Sequence, residues 1–171
     1  EATILAEGAD TVAAFIGEPV MGAGGVITPP KTYWEKIQAV CRKHDVLIVA
    51  DEVITGFGRL GFPFAAERYG VIPDMITFAK GVTSGTVPMG GVIVRKHIHD
   101  AFMKGPDHAI ELFHGYTYSG HPLACAAALA TLDVYRDEKL FERVRALEPK
   151  WYDALMSLKG LPNVVDIRCV G

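Results

Sequence analysis

The stretch "VLIVADEVITGFGRLGFPFAAERYGVIPDMITFAK", residues 46–80, reads as a complete strand–loop–helix–strand unit. Its first segment, Val46 to Val53, is an apolar run carrying Asp51 and Glu52 at its end. Its last, "DMITFAK", is an apolar run that delivers Lys80. Between them lie a glycine-rich loop, "ITGFGRLGF", and a short helix, "PFAAERYG", closed by Gly70. So short a crossover predicts parallel, neighbouring strands, and the 29 positions from Asp51 to Lys80 fit one βαβ unit of roughly 30 residues. In open parallel sheets ligands gather beyond the carboxyl ends of the strands. Asp51 and Lys80 are therefore expected to face one crevice.

A lysine is rarely buried unpaired, and two readings of this one stay open on the two residues alone. Asp51 neutralises Lys80 as a buried ion pair, or the crevice lowers the lysine's pKa and makes it an amine able to form a Schiff base. Groups that an ion pair does not require lie nearby. Gly81, Thr83, Ser84 and Gly85 form a hydroxyl-rich turn after the lysine. "HGYTYSG" (His114 to Gly120) sets Thr117 and Ser119 between glycines. That loop suits phosphate oxygens, or it is an ordinary polar turn.

Working outward, "TVAAFIGEPV" (Thr11 to Val20) predicts a further strand covered on both faces, stopped by Glu18-Pro19. A Gly/Pro loop follows. Tyr33, Ile37, Val40 and Cys41 recur at helical spacing between Lys31 and Asp45, with Pro30 as a start signal. "GGVIVRK" (Gly90 to Lys96) is a fourth strand and "HIHDAFMKG" a short helix. Longer helices are expected over 123–136 and 140–158, and "NVVDIRC" is expected to begin another strand. The alternation predicts an α/β fold with a mostly parallel sheet. "KGLPN" (Lys159 to Asn163) carries the turn residues of a domain junction.

Composition narrows the classes. The 171 residues are 50% hydrophobic and 22% charged, as expected of one packed domain. A net charge of −3 with no basic run recruits neither nucleic acid nor an acidic membrane. No apolar stretch reaches the roughly 18 residues of a membrane helix, and "EATILAEGAD" lacks the regions of a signal peptide. Cys41, Cys125 and Cys169, widely spaced in apolar contexts, read as reduced core residues of a cytoplasmic protein. The absent initiator Met and the ending "DIRCVG" suggest a piece of a longer protein.

The segments "FIGEPVMGAGGVITPP", "LIVADEVITGFGRLG", "PDMITFAKGV" and "FHGYTYSGHPLACAAALA" together resemble the class III, or omega-type, aminotransferases. These are pyridoxal-phosphate enzymes of the aspartate-aminotransferase-like fold. The segments cover most of Phe15 to Ala130 in the family's order and spacing. "FHGYTYSGHP" most resembles transaminases that pass an amino group from β-alanine or other ω-amines to pyruvate.

The resemblance implies that residues 1–158 are the C-terminal portion of a cofactor-binding large domain, with helices on both faces of its sheet. Residues 159–171 would be the junction and the start of a small C-terminal domain. By the same resemblance Lys80 forms the Schiff base with pyridoxal 5'-phosphate, and Asp51 pairs with the pyridine nitrogen. Val53 packs on the ring, and Glu18 lies near the cofactor at the end of an adjacent strand. Thr117 binds the phosphate of a neighbouring subunit's cofactor, implying a homodimer or a dimer of dimers. Many relatives carry glutamine two positions after the glutamate of the Asp-Glu pair. Here Ile54 stands there, and is expected to pack on the ring instead. Glu52 is expected behind the site or at the surface.

The chemistry needs these residue types. A buried carboxylate keeps the ring nitrogen protonated, which makes the ring an electron sink. Once a substrate amine displaces Lys80, the freed amine can carry a proton between substrate and cofactor carbons. Another enzyme of the lineage, an aminomutase or decarboxylase, or an inactive piece that keeps the fold, are the alternatives. "GFGRLG" (Gly56 to Gly61) also satisfies the dinucleotide fingerprint, with Asp74 downstream as a ribose partner. The acids ahead of it and Pro63 before any helix argue against a pyrophosphate. His97 and His99 alternate in a short helix without ligand partners and predict no metal site.

Overall fold

The computed structural model describes residues 1–171. Four strands, β1 (Ala14–Gly17), β2 (Leu47–Asp51), β3 (Met75–Ala79) and β4 (Gly90–Val94), lie side by side in chain order. β1, β2 and β3 are parallel and β4 runs antiparallel to β3. Six α-helices punctuate them: α1 (Ala2–Glu7), α2 (Tyr33–Lys43), α3 (Ala65–Arg68), α4 (Lys96–Phe102), α5 (Pro122–Asp137) and α6 (Leu140–Met156). This is the expected α/β architecture, with the parallel β2–α3–β3 unit at its centre. No helix is long and apolar enough to cross a membrane.

Register assigns the two faces of the sheet. Phe15 pairs with Ile48 and Ile16 with Val49, and successive side chains point to opposite faces. Phe15 and Ile48 pack with Trp34, Ile37 and Cys41 of α2 and with Ala66 of α3, which forms the main core. The opposite face is covered at its centre, where Val49 is buried, and bare at its flanking strands. It carries Ile16, 60% exposed, and Val92 and Val94 of β4, also exposed. The chain exposes 11675 Å², against about 8,200 Å² for a closed monomer of this mass.

Three expectations change here. The first strand spans four residues rather than Thr11 to Val20, and it forms an edge covered on one face only. Residues 164–170 form no strand, because a strand persists only where a neighbour takes up its hydrogen bonds, and none lies beside it. On α2 the buried stripe is Trp34, Gln38 and Cys41, one step round from the predicted one. Gln38 is buried because its amide is satisfied: Nε2 donates to the Gly70 carbonyl at 3.1 Å, and Oε1 accepts from the Ile72 N–H at 2.8 Å. The three cysteines are free thiols, Cys41 buried in the core and the other two half-buried.

Candidate active site

The ends of β1, β2 and β3 converge on one edge of the sheet. β2 ends on Asp51, and Asp51 faces Thr77 of β3 in register. Its Oδ1 accepts the Val53 N–H at 3.1 Å, an Asx-type turn that swings the chain off the sheet, and no other donor reaches the carboxylate. Beside it, Thr77 Oγ1 is buried with no hydrogen-bond partner at all. A buried orphan hydroxyl next to a carboxylate with a free oxygen is a polar pair lacking a third participant.

Lys80 follows Ala79 at the end of β3, three residues past the position level with Asp51, or roughly 10 Å further along. Its backbone is left-handed, with φ +47°. The structure departs from the sequence reading in the exposure of Lys80 and in its cleft, and it decides between the two open readings of the pair. Lys80 is exposed rather than buried, and neither it nor Asp51 forms any ion pair, so the neutralising salt bridge is absent. The two residues also line different clefts at the same sheet edge. Asp51 and Glu18 open into one of about 570 Å³, and Lys80 and Ile54 into one of about 860 Å³. Register is the reason: β2 and β3 each span five residues, but Asp51 is level with Thr77, so Lys80 emerges three residues further along.

The remaining candidates find places of their own. Glu18 accepts the Gly22 N–H at 3.0 Å, pinning the glycine-rich loop after β1. Ile54 packs on that same loop: a Cβ on Gly22 would come within 2.7 Å of Ile54 Cγ2. Val53 is half-buried and lines neither cleft. Thr117 lies in a fully exposed loop and meets no other candidate within this chain.

Glu52 is neither at the surface nor loosely behind the site. It is 0% exposed, and its carboxylate accepts from Thr55 Oγ1 at 2.5 Å and from the backbone N–H groups of Ala65 at 3.0 Å and Ala66 at 2.6 Å. Burial holds its pKa above the ordinary carboxylate range, against the pull of these hydrogen bonds. It thus anchors α3 to the end of β2. Thr77 is the residue that sequence reading missed, and its signal was a lone hydroxyl in an apolar strand.

The dinucleotide fingerprint fails structurally. Gly58 and Gly61 have positive φ, and a Cβ would strike the Phe141 ring at 2.7 Å and Arg145 Cγ at 2.5 Å. These glycines admit helix α6. Asp74, the supposed ribose partner, accepts the Ile48 N–H at 2.8 Å.

The resemblance stated from the motifs extends over the whole chain. The family model for class III aminotransferases matches residues 1–171. An omega-aminotransferase of Caulobacter vibrioides is 56% identical over all of this chain, which spans 39% of that protein. The chloroplastic gamma aminobutyrate transaminase 3 of Solanum lycopersicum is 47% identical, with 33% of its length covered. Among solved structures, the thermostable (S)-enantioselective omega-transaminase of Thermomicrobium roseum superposes with a TM-score of 0.93 at 50% identity, covering 99% of this chain and 37% of that one. The Pseudomonas jessenii omega transaminase in complex with PMP gives 0.91 at 43% identity, with shares of 99% and 38%. The chain thus spans between a third and two fifths of the relatives it matches. With the motifs, the β2–α3–β3 unit and the full-length family match in agreement, the chain belongs to the class III aminotransferases.

Proposed function

We propose that the protein carrying this chain is a pyridoxal-phosphate-dependent transaminase that moves an amino group from an ω-amino acid, β-alanine in the first instance, to pyruvate. The observation that carries this reading is the pair of unpaired groups, the Asp51 carboxylate and the Lys80 amine, at the ends of neighbouring parallel strands. The donor set fits pyridoxal phosphate: a carboxylate with a free oxygen for a ring nitrogen, a free amine for an aldehyde, and the orphan hydroxyl of Thr77. When bound, the cofactor supplies an electron sink for a substrate carbon that loses its proton.

In this reading Asp51 Oδ2 would hold the proton on the ring nitrogen. Lys80 Nζ would anchor the cofactor and, once released by a substrate amine, carry a proton at that nitrogen. Ile54, which lines the lysine's cleft, would give the ring apolar contact and exclude water, Val53 would reach the ring only from beside the clefts, and Glu18 would set the loop at the cleft's edge through the Gly22 N–H. Thr117, exposed in its own chain, would donate its hydroxyl to the phosphate bound by the second copy of a homodimer. Residues 159–171 then begin the second, smaller domain. The free thiols suit a reducing compartment, the cytoplasm.

The test is reduction of the cofactor-loaded protein with borohydride. Wild-type protein should show an absorption band near the edge of the visible, and reduction should leave a pyridoxyl group on the peptide containing Lys80. Retention of the band in Lys80→Ala would overturn the assignment. Turnover with pyruvate as acceptor, comparing β-alanine with γ-aminobutyrate, then decides the donor. A preference for γ-aminobutyrate would align the protein with its plant relatives instead.

A further inference from the structure

Beyond β3 the chain enters a single 3₁₀ turn, Lys80–Thr83, with two non-glycine residues in the left-handed region, Lys80 at φ +47° and Ser84 at φ +52°. Such backbone persists only where its surroundings hold it. Several bonds close the turn on itself: Ser84 N–H to the Gly81 carbonyl at 3.1 Å, Gly85 N–H to the Lys80 carbonyl at 3.1 Å, and Thr83 Oγ1 to the Val87 carbonyl at 2.6 Å. These bonds shape the turn from within, and Val82 and Thr83, both buried, seat its far end while Lys80 and Gly81 lie at the cleft.

One hydrogen bond reaches in from outside residues 80–87. Tyr135 of α5 donates its hydroxyl to the Gly81 carbonyl at 2.6 Å. The ring is itself gripped, stacked on Phe57 with centroids 6.4 Å apart and 25° between planes, and tilted against Phe141 at 5.4 Å. Phe57 in turn crowds Gly81, where a Cβ would come within 2.8 Å of Phe57 Cβ. Burial pushes the phenol pKa up, so the hydroxyl stays a donor through neutral pH. Tyr135 and Lys80 line the same cleft.

We infer that Tyr135 is a positioning residue for Lys80: its bond to the next residue's carbonyl ties the left-handed lysine to α5 and sets where Nζ emerges. This rests on the reading of Lys80 as the cofactor's anchor. A lysine free to swing would meet the aldehyde in fewer productive orientations, and its bond to the cofactor would titrate differently.

Tyr135→Phe in the intact, cofactor-loaded protein keeps the stack and removes the hydroxyl. The expected result is a roughly 3–10-fold weaker affinity of the apoprotein for pyridoxal phosphate, the size of one lost hydrogen bond. The pH midpoint of the absorption band should move, and kcat should fall more than KM rises. Phe64→Leu is the control: Phe64 packs in the main core, edge-on to Phe57, outside the cleft and away from Gly81, and its loss should lower the unfolding temperature without moving the midpoint. An unchanged midpoint and affinity in Tyr135→Phe, with Lys80 still labelled in the wild type, would overturn the Tyr135 assignment alone. Equal midpoint shifts in both variants would overturn it too, in favour of general packing. No labelling of Lys80 in the wild type would overturn the anchor reading beneath it.

Discussion

Lys80 leaves β3 in a conformation that costs an L-residue about 1 kcal/mol, and backbone strain of this kind concentrates where a side chain must be aimed. Asp51 presents the complementary economy: one oxygen spent on the Val53 N–H, the other unclaimed. If that free oxygen holds a proton on the cofactor ring, Asp51→Asn removes the charge but keeps the turn. Turnover should then fall on the order of 10²-fold or more, as for loss of one preorganised electrostatic group, while cofactor affinity falls far less. Steady-state rates and a cofactor titration on the same preparation check this, and equal losses in both would mean a structural role. Both residues were legible in the sequence, since a charge at the end of an apolar strand has few bland explanations. Thr77 was harder to read, because a threonine is at home in any strand and only the folded chain leaves its hydroxyl without a partner.

The four-residue helix α3 is too short to stand by its own hydrogen bonds, and two acids hold it from opposite ends. Glu52 takes the backbone N–H groups at its start, and Glu148 of α6 takes Arg68 at its end through two bonds of 2.8 and 3.0 Å. Glu52→Ala strands buried donors and should cost on the order of 3 kcal/mol in denaturant unfolding. The two acids also respond to pH with opposite sign. Burial raises the Glu52 pKa, so its contribution is full below the unfolded value and fades as pH rises through the raised one. Glu148 is held low by its hydrogen bonds from Arg68, so its contribution is present above the unfolded value and fades on acidification. Arg68→Ala should therefore flatten the acid limb of the stability profile and Glu52→Gln the limb above it, as unfolding midpoints across pH will show. Neither clamp could be read from periodicity. Glu52 was expected behind the site or at the surface, and the predicted stripe of α2 passed over Gln38, because burial of a polar group depends on donors that arrive from distant sequence.

The molecule as a whole is unevenly closed. One sheet face is packed under α2, and the other shows Ile16, Val92 and Val94 to solvent, on the same side as Asp51 and Thr77. If Thr117 serves the second subunit of a homodimer, each active site is a composite, and complementation will reveal it. Lys80→Ala and Thr117→Ala, each impaired alone, should recover roughly one quarter of wild-type activity when randomly mixed, since half the dimers are mixed and each of those has one intact site. No recovery would place Thr117 in its own subunit's site, and an unimpaired Thr117→Ala would place it in none. At this scale the division between sequence and structure is plain. The neighbouring of β2 and β3, the parallel β2–α3–β3 unit and the charges at its strand ends follow from spacing and hydrophobic pattern, which are local properties of the chain. The separate clefts of Asp51 and Lys80, the missing strand at 164–170 and the grip of Tyr135 on Gly81 do not. Each depends on which groups from remote segments arrive to accept a hydrogen bond or cover a surface, and that is settled only when the chain closes on itself.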